Sequence, residues 1–385
     1  MTRVAVSNAV LSWAVERSES PETVKLRFPK LSEWLLGKSQ PTLRQLEKFA
    51  KATSTPLGYL FLSEPPEERL TIPHFRTLRH EPTRRPSPDL IDTVQTMEQR
   101  QAWMREYLIE IGQEPLEFVR SARLGDDPKK VAEHIRHELR VTNSWAAEHR
   151  SWTDALKKLL IKADEAGILV TVNSIVGNNT HRKLDPAEFR GFVLVDEFAP
   201  LIFINGADGK AAQMFTLAHE LAHVWLGSSA IFDLRETLPA DDRTEQACNL
   251  IAAEFLVPKE GFLEFWPRVQ REPDRFQMIA RNFKVSEVVA ARRALDLNCI
   301  THEEFSRFYL DYMKREFHTA SQQGGDFYAN QMFRVGRRFG ETVVRAAREG
   351  NLLYRDAYRL TGLYGKTFEQ FVNSLGIGSP SNGRS

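Results

Sequence analysis

Apolar residues recur at helical spacing along most of the chain, and at strand spacing only between Ala166 and Asn205. From Asn8 to Leu62 the segments NAVLSWAVERSE, SPETVKLRF, KLSEWLLGK, PTLRQLEKFAKAT and TPLGYLFL predict a succession of short helices, with Ser7 or Asn8 placed to cap the first. Ser63 to Pro88 clusters prolines and charges and reads as a linker or a tied-down crossing segment. Leu90 to about Leu160 returns to helical spacing in WMREYLIEIG, PLEFVRSA and VAEHIRHEL. The β-branched runs AGILVTVNSIVG, RGFVLV and PLIFIN then predict strands, the last two antiparallel and joined around Asp196 to Pro200. From Lys210 to Leu226 no proline or glycine interrupts a helix, and Gly227 stands where a helix end favours one. A second helix, RTEQACNLIAAEFLVP, is opened by Thr244 or the Asp241/Asp242 pair and stopped by Pro258. Beyond Gly324 and Gly325 the tail is helical, and LLYRDAYRLTGLYGKTFEQFV has helix, turn, helix spacing.

Charge divides the chain more sharply than hydropathy does. Across 385 residues the net charge is +1, which excludes a uniformly basic nucleic-acid coat. By segment, residues 1–85 hold 14 Lys/Arg against 9 Asp/Glu, residues 190–260 hold 5 against 11, and residues 318–385 hold 9 against 5. A basic, acidic, basic order is what modules with different partners would show. The tail's cluster of Arg334, Arg337, Arg338, Arg345 and Arg348 suits either a solvated face or a partner or nucleic-acid surface. Two cysteines, Cys248 and Cys299, make neither a disulfide framework nor a cysteine zinc site, so a reducing cytoplasm is expected. No run approaches the roughly 18 apolar residues of a membrane span, and the first twenty residues read as an amphipathic helix and only weakly as a signal peptide.

The chemistry lies in FTLAHELAHVWLG, where His219, Glu220 and His223 spell H-E-x-x-H. Helical residues four apart share a face, so both imidazoles can reach one metal ion, with Glu220 beside them towards a bound water. Zinc suits this donor set, and it lowers the pKa of a water it binds to about 7. A third ligand is expected from the next helix: Glu245 is preferred on helical geometry, with Glu254 as the alternative, and Asn249 is placed to fix a histidine tautomer. Such a pattern also arises by chance on solvated helices. Its place between a strand pair and a carboxylate-bearing helix argues for metal binding. Glu220 is the expected general base, and a peptide would lie along an exposed sheet edge, for which Leu201, Ile202, Phe203, Ile204 and Asn205 are the candidate. His181, several arginines and the C-terminal tyrosines remain open as oxyanion partners.

The run from PLIFIN through FTLAHELAHVWLG to EQACNLIAAEFLVP resembles the ImmA/IrrE family of zinc metallopeptidases, and the likeness extends over roughly Ala166 to Tyr312, including FKVSEVVAARRALDL. The resemblance implies zinc ligands at His219, His223 and Glu245 and a general base at Glu220. Cys248 stands where that family usually has a small residue, as simple packing or as a redox-sensitive thiol. PTLRQLEKFAKATSTPLGYLF resembles the XRE class of helix-turn-helix domains, with a recognition helix expected near Lys30 to Lys38. Lys25, Arg27, Lys30, Ser32 and Lys38 would then serve phosphates or base edges. PKLSEWLLG is poor in base-reading residues, which leaves open a module that docks a protein or dimerises.

The expected fold is α+β and mostly helical. A helix-turn-helix domain (1–62) and a Pro-rich linker (63–88) precede a zincin-like core with a small antiparallel sheet (89–317) and a basic helical region (318–385). The family resemblance implies an endopeptidase acting on a regulatory protein, such as a repressor or antitoxin encoded nearby. The alternative is a DNA-binding regulator or antitoxin whose zinc is structural or sensory. DNA and a second copy of the chain are further candidate partners, and no membrane is expected.

Overall fold

The computed structural model describes residues 3–18, 20–68, 86–228, 230–232, 243–315 and 327–376. Asp241, Asp242, Gly324 and Gly325 lie outside them, as does much of the Pro-rich segment. The described residues fall into two compact units, one within Met1–Thr71 and His80–Gln95, the other within Thr96–Ser385.

The first unit contains α1 (Asn8–Arg17), α2 (Pro21–Arg27), α3 (Leu31–Leu35), α4 (Leu43–Ala52), a 3-10 turn at Leu57–Phe61, and the start of α5 (Pro88–Glu110). Val10, Leu11, Trp34, Leu46, Phe49 and Leu60 form its own core, in which Trp34 meets the edge of Phe49 at 6.3 Å. Ser7 sits at the start of α1 without a side-chain cap, whereas Thr42 and Gln45 form a reciprocal capping box on α4. The helix expected near Lys30 to Lys38 is shorter than that. Only Leu31–Leu35 is helical, because Leu31 and Trp34 turn into the core and Gly37 leaves the helix at φ 69°.

In the second unit, α6 (Pro128–Glu138) and α7 (Trp152–Glu165) lead into β1 (Leu169–Asn173), β2 (Ile175–Val176), β3 (Asn179–Lys183), β4 (Gly191–Leu194) and β5 (Leu201–Asn205). Then follow α8 (Lys210–Leu226), β6 (Ala230–Phe232), α9 (Arg243–Leu256), α10 (Lys259–Val269), α11 (Arg275–Phe283), α12 (Glu287–Asp296) and α13 (His302–Met313). The last helices are α14 (Phe327–Val335), α15 (Arg337–Arg348), α16 (Tyr354–Thr361) and α17 (Lys366–Ser374).

Two expectations about the sheet need correction. Its order is β1-β5-β4-β6, and β1 pairs with β5 in parallel, so the sheet is mixed rather than antiparallel. The chain reaches β5 only after the β2–β3 hairpin and β4, a crossing long enough to bring it back in the direction of β1. Leu201 to Asn205 is not an edge either. It is the interior strand β5, buried at all five positions, and the unbroken apolar run LIFIN is the pattern of a strand covered on both faces.

The tail helices belong to this second unit. Gly336, at φ 86°, carries the chain so close to β1 that a Cβ there would lie 3.1 Å from the Val170 carbonyl oxygen. Asp164, at the end of α7, accepts hydrogen bonds from the backbone N–H groups of Arg338 and Val170, and so caps α15 from another helix. Arg100 on α5 is buried and donates to Leu360 O at 2.9 Å, Arg334 O at 3.1 Å, and Val335 O and Thr361 O at 3.4 Å, closing the C-termini of α14 and α16. Part of the tail's basic cluster is therefore structural: Arg338 faces Asp164, and Arg337 pairs with Glu341 at 2.9 Å.

Candidate metal centre

Helix α8 lies across β4 and β5 and is buried on every side from Gln213 to Trp225. Its C-terminus ends at Gly227 in the left-handed region, where the Gly227 N–H reaches His223 O at 2.8 Å. The backbone N–H groups of Arg120 and Ala122 take the free carbonyls of Val224 and Trp225, and the Trp225 ring stacks on Phe118 at 4.5 Å. These contacts fix the axial position of the turn that carries His219, Glu220 and His223.

Helix α9 packs beside it and brings Glu245 to both histidines. Three distances define the cluster: His219 Nε2 to His223 Nε2, His219 Nε2 to Glu245 Oε2, and His223 Nε2 to Glu245 Oε1, each 3.1 Å. Zinc–nitrogen bonds of about 2.0–2.1 Å in a tetrahedron put ligand atoms roughly 3.3 Å apart, so each spacing matches two neighbouring corners around one ion, with the Glu245 carboxylate as the third corner of the triangle, one oxygen towards each histidine. The other imidazole nitrogens are engaged outward. His219 Nδ1 donates to Asn249 Oδ1 at 3.1 Å, and His223 Nδ1 meets Ser228 Oγ at 2.8 Å, which leaves both Nε2 lone pairs facing inward.

Electrostatics point the same way. Burial holds His219 below the ordinary histidine range despite Glu245 beside it. Burial also works to raise Glu245, but the two imidazoles outweigh it and keep that carboxyl well below the usual range. Glu220 is buried with neither carboxylate oxygen hydrogen-bonded among the described residues. Burial, and after it the charge on Glu245, pushes Glu220 well above the usual carboxylate range. An uncompensated buried carboxylate costs several kcal/mol. A cation at the triangle removes that cost.

Residues 163–295 match the M78 peptidase model, described as an IrrE N-terminal-like domain. This span, a metallopeptidase-type domain, runs from the last turn of α7 through α12 and contains the whole triangle. Residues 335–374 match a domain model of unknown function. No curated protein and no solved structure matches the chain.

Within the M78 span, Glu254 goes elsewhere. It forms a buried ion pair with Arg293, and its Oε1 accepts from the Lys259 N–H at 3.0 Å at the start of α10. Cys248 is buried, and its Sγ lies within 4.8 Å of a ring nitrogen on each of His219 and His223, a group that could hold a metal ion. Two contributors escaped sequence reasoning. Ser228 follows the helix-ending glycine directly, and that position was its only signal. Gly191 on β4 abuts the site: a Cβ there would sit 2.5 Å from Thr216 Cγ2 and 3.3 Å from Glu220 Oε1, so only glycine lets the strand approach the carboxylate. His181 is exposed on β3. Lys25, Arg27, Lys30, Ser32 and Lys38 are all exposed on or beside α2 and α3, with Lys25 paired to Glu22 at 2.8 Å. Among the described residues, no helix is long and apolar enough to cross a membrane.

Proposed function

We propose that the M78 span is a zinc endopeptidase that cleaves a regulatory protein, with His219, His223 and Glu245 holding the metal and Glu220 as general base. The observation that carries this reading is the 3.1 Å triangle beside an orphaned, buried Glu220. Zinc, when bound, supplies a Lewis acid for a peptide carbonyl and for water. In this reading Glu220 takes a proton from the attacking water and passes it to the leaving amine. Asn249 and Ser228 hold the two imidazoles in the ligating tautomer. The resemblance of the first unit to XRE domains suggests a cytoplasmic regulator whose substrate is a repressor or antitoxin encoded nearby.

The test is zinc content together with cleavage of the proteins encoded beside the gene, wild type against Glu220→Gln. The variant should keep its zinc and leave the substrate intact. Equal cleavage by both removes Glu220 from the mechanism.

One observation favours a second reading. With Cys248 this close to both histidines, a Cys thiolate could complete a closed site in which zinc is structural and no peptide is cut. A Cys248→Ala variant that loses zinc as readily as His219→Ala does would support that reading.

A further inference from the structure

The span 335–374 contains three helices, α15, α16 and α17, the last two joined by a tight turn. Four residues, Gly362-Leu363-Tyr364-Gly365, join α16 to α17. Gly362 and Gly365 both have positive φ, 70° and 50°, and Leu363 is buried inside the turn. Ala357 is fully buried on α16, while Phe368, Phe371 and Val372 turn the other face of α17 inward. There Gly340 of α15 admits the Phe371 ring, which a Cβ would meet at 2.5 Å. One stripe of α17 is left to solvent, Lys366, Gln370 and Asn373, at i, i+4 and i+7.

We propose that α16 and α17 form a helix-turn-helix that binds double-stranded DNA, with α17 entering the major groove. Gln and Asn side chains pair bidentately with adenine and Lys with guanine, so the exposed stripe carries base-reading chemistry. Arg355 and Arg359 project from α16 with side chains 84% and 77% exposed, held only loosely at 3.8 and 4.0 Å from Asp356. They are placed as phosphate contacts. Arg345 and Arg348 are also exposed on α15, and this span holds seven Lys/Arg against four Asp/Glu. Glu369 is the one acidic residue exposed on α17, a side chain that can accept from cytosine. By contrast, α3 has five residues, and among the exposed side chains on or beside it are the apolar Leu26 and Leu36, 83% and 66% exposed.

The test uses the full chain and a labelled mixed-sequence 30-base-pair duplex at several salt concentrations. Wild type should bind with a steep salt dependence. Arg355→Ala with Arg359→Ala should weaken binding about tenfold or more and reduce the salt slope by about 2. Selection from a randomised duplex pool should yield a preferred site that Gln370→Ala with Asn373→Ala relaxes. A variant of the other module, with Lys25, Arg27, Lys30 and Lys38 all changed to Ala, should retain that preference. All these side chains are exposed, and unchanged thermal melting confirms that each variant folds. Absence of binding by wild type at 50 mM salt overturns the proposal, and leaves the exposed Leu353 and Tyr354 as a protein-docking face. Retention of both affinity and site preference in the α16 and α17 variants overturns it equally.

Discussion

Arg100 and Glu220 are both buried ionisable side chains in the second unit, and the protein treats them in opposite ways. Arg100 reaches four backbone carbonyls at the ends of α14 and α16, so its lost hydration is replaced donor by donor. Glu254 with Arg293 follows the same rule, since the arginine also bonds Val257 O at 3.0 Å. Glu220 receives no hydrogen bond among the described residues, and it lies beside Glu245, whose carboxylate oxygens meet the inward nitrogens of His219 and His223. Buried charge that is fully paired is architecture. Buried charge that is clustered and left unpaired marks the place for something else to bind. Asp164 stands between the two, with hydrogen bonds from two backbone N–H groups but Oδ1 unpartnered among the described residues, and burial raises its carboxyl to about 7.

The sharpest separation comes from removing each charge in turn. Glu220→Gln should cut proteolysis by about 10²–10⁴-fold, the usual contribution of a general base, without lowering the melting temperature. Arg100→Ala should do the reverse. Stranding carbonyls at two helix ends should cost about 3–5 kcal/mol in chemical denaturation, and hydrogen exchange should report the loss first in α14 and α16. If Glu220→Gln proves the more destabilising of the two, the distinction fails.

Asp164 makes a pH-dependent case. Its folded pKa lies above the unfolded one, so the native state binds the extra proton and stability falls as pH rises from about 4 to about 7. The full effect is up to about 4 kcal/mol. Asp164→Asn should flatten the stability profile across that window, and an unchanged profile would show that the carboxyl is not shielded as described. The smallest effect is expected one layer out from the proposed metal ligands. Asn249→Ala and Ser228→Ala should each weaken zinc binding by about 10–100-fold in a chelator competition, with little change in fold.

Local spacing made much of the candidate site legible. His219 and His223 had to share a face once Lys210–Leu226 was helical, and Glu245 and Asn249 likewise on α9. The choice between Glu245 and Glu254 was not local. It depends on where Arg293 and the Lys259 amide lie, both brought to Glu254 by packing. Cys248, three residues after Glu245, shares its face by the same spacing, and the packing of α9 against α8 sets its distance to the histidines. The apolar run LIFIN signalled a strand, but its interior place and the parallel partner Leu169–Asn173 follow from the path of the chain through β4.

By itself, then, the sequence determined the helices, the strand segments and the paired histidines with Glu220 between them, because each depends on a period of two or 3.6 residues. Only the tertiary structure decided which strand is central, which glutamate faces the histidines, and that Asp164 and Arg100 tie the basic tail to the sheet-bearing unit. Those are contacts between residues as many as 261 positions apart, where burial and hydrogen-bond satisfaction act and local periodicity carries no information.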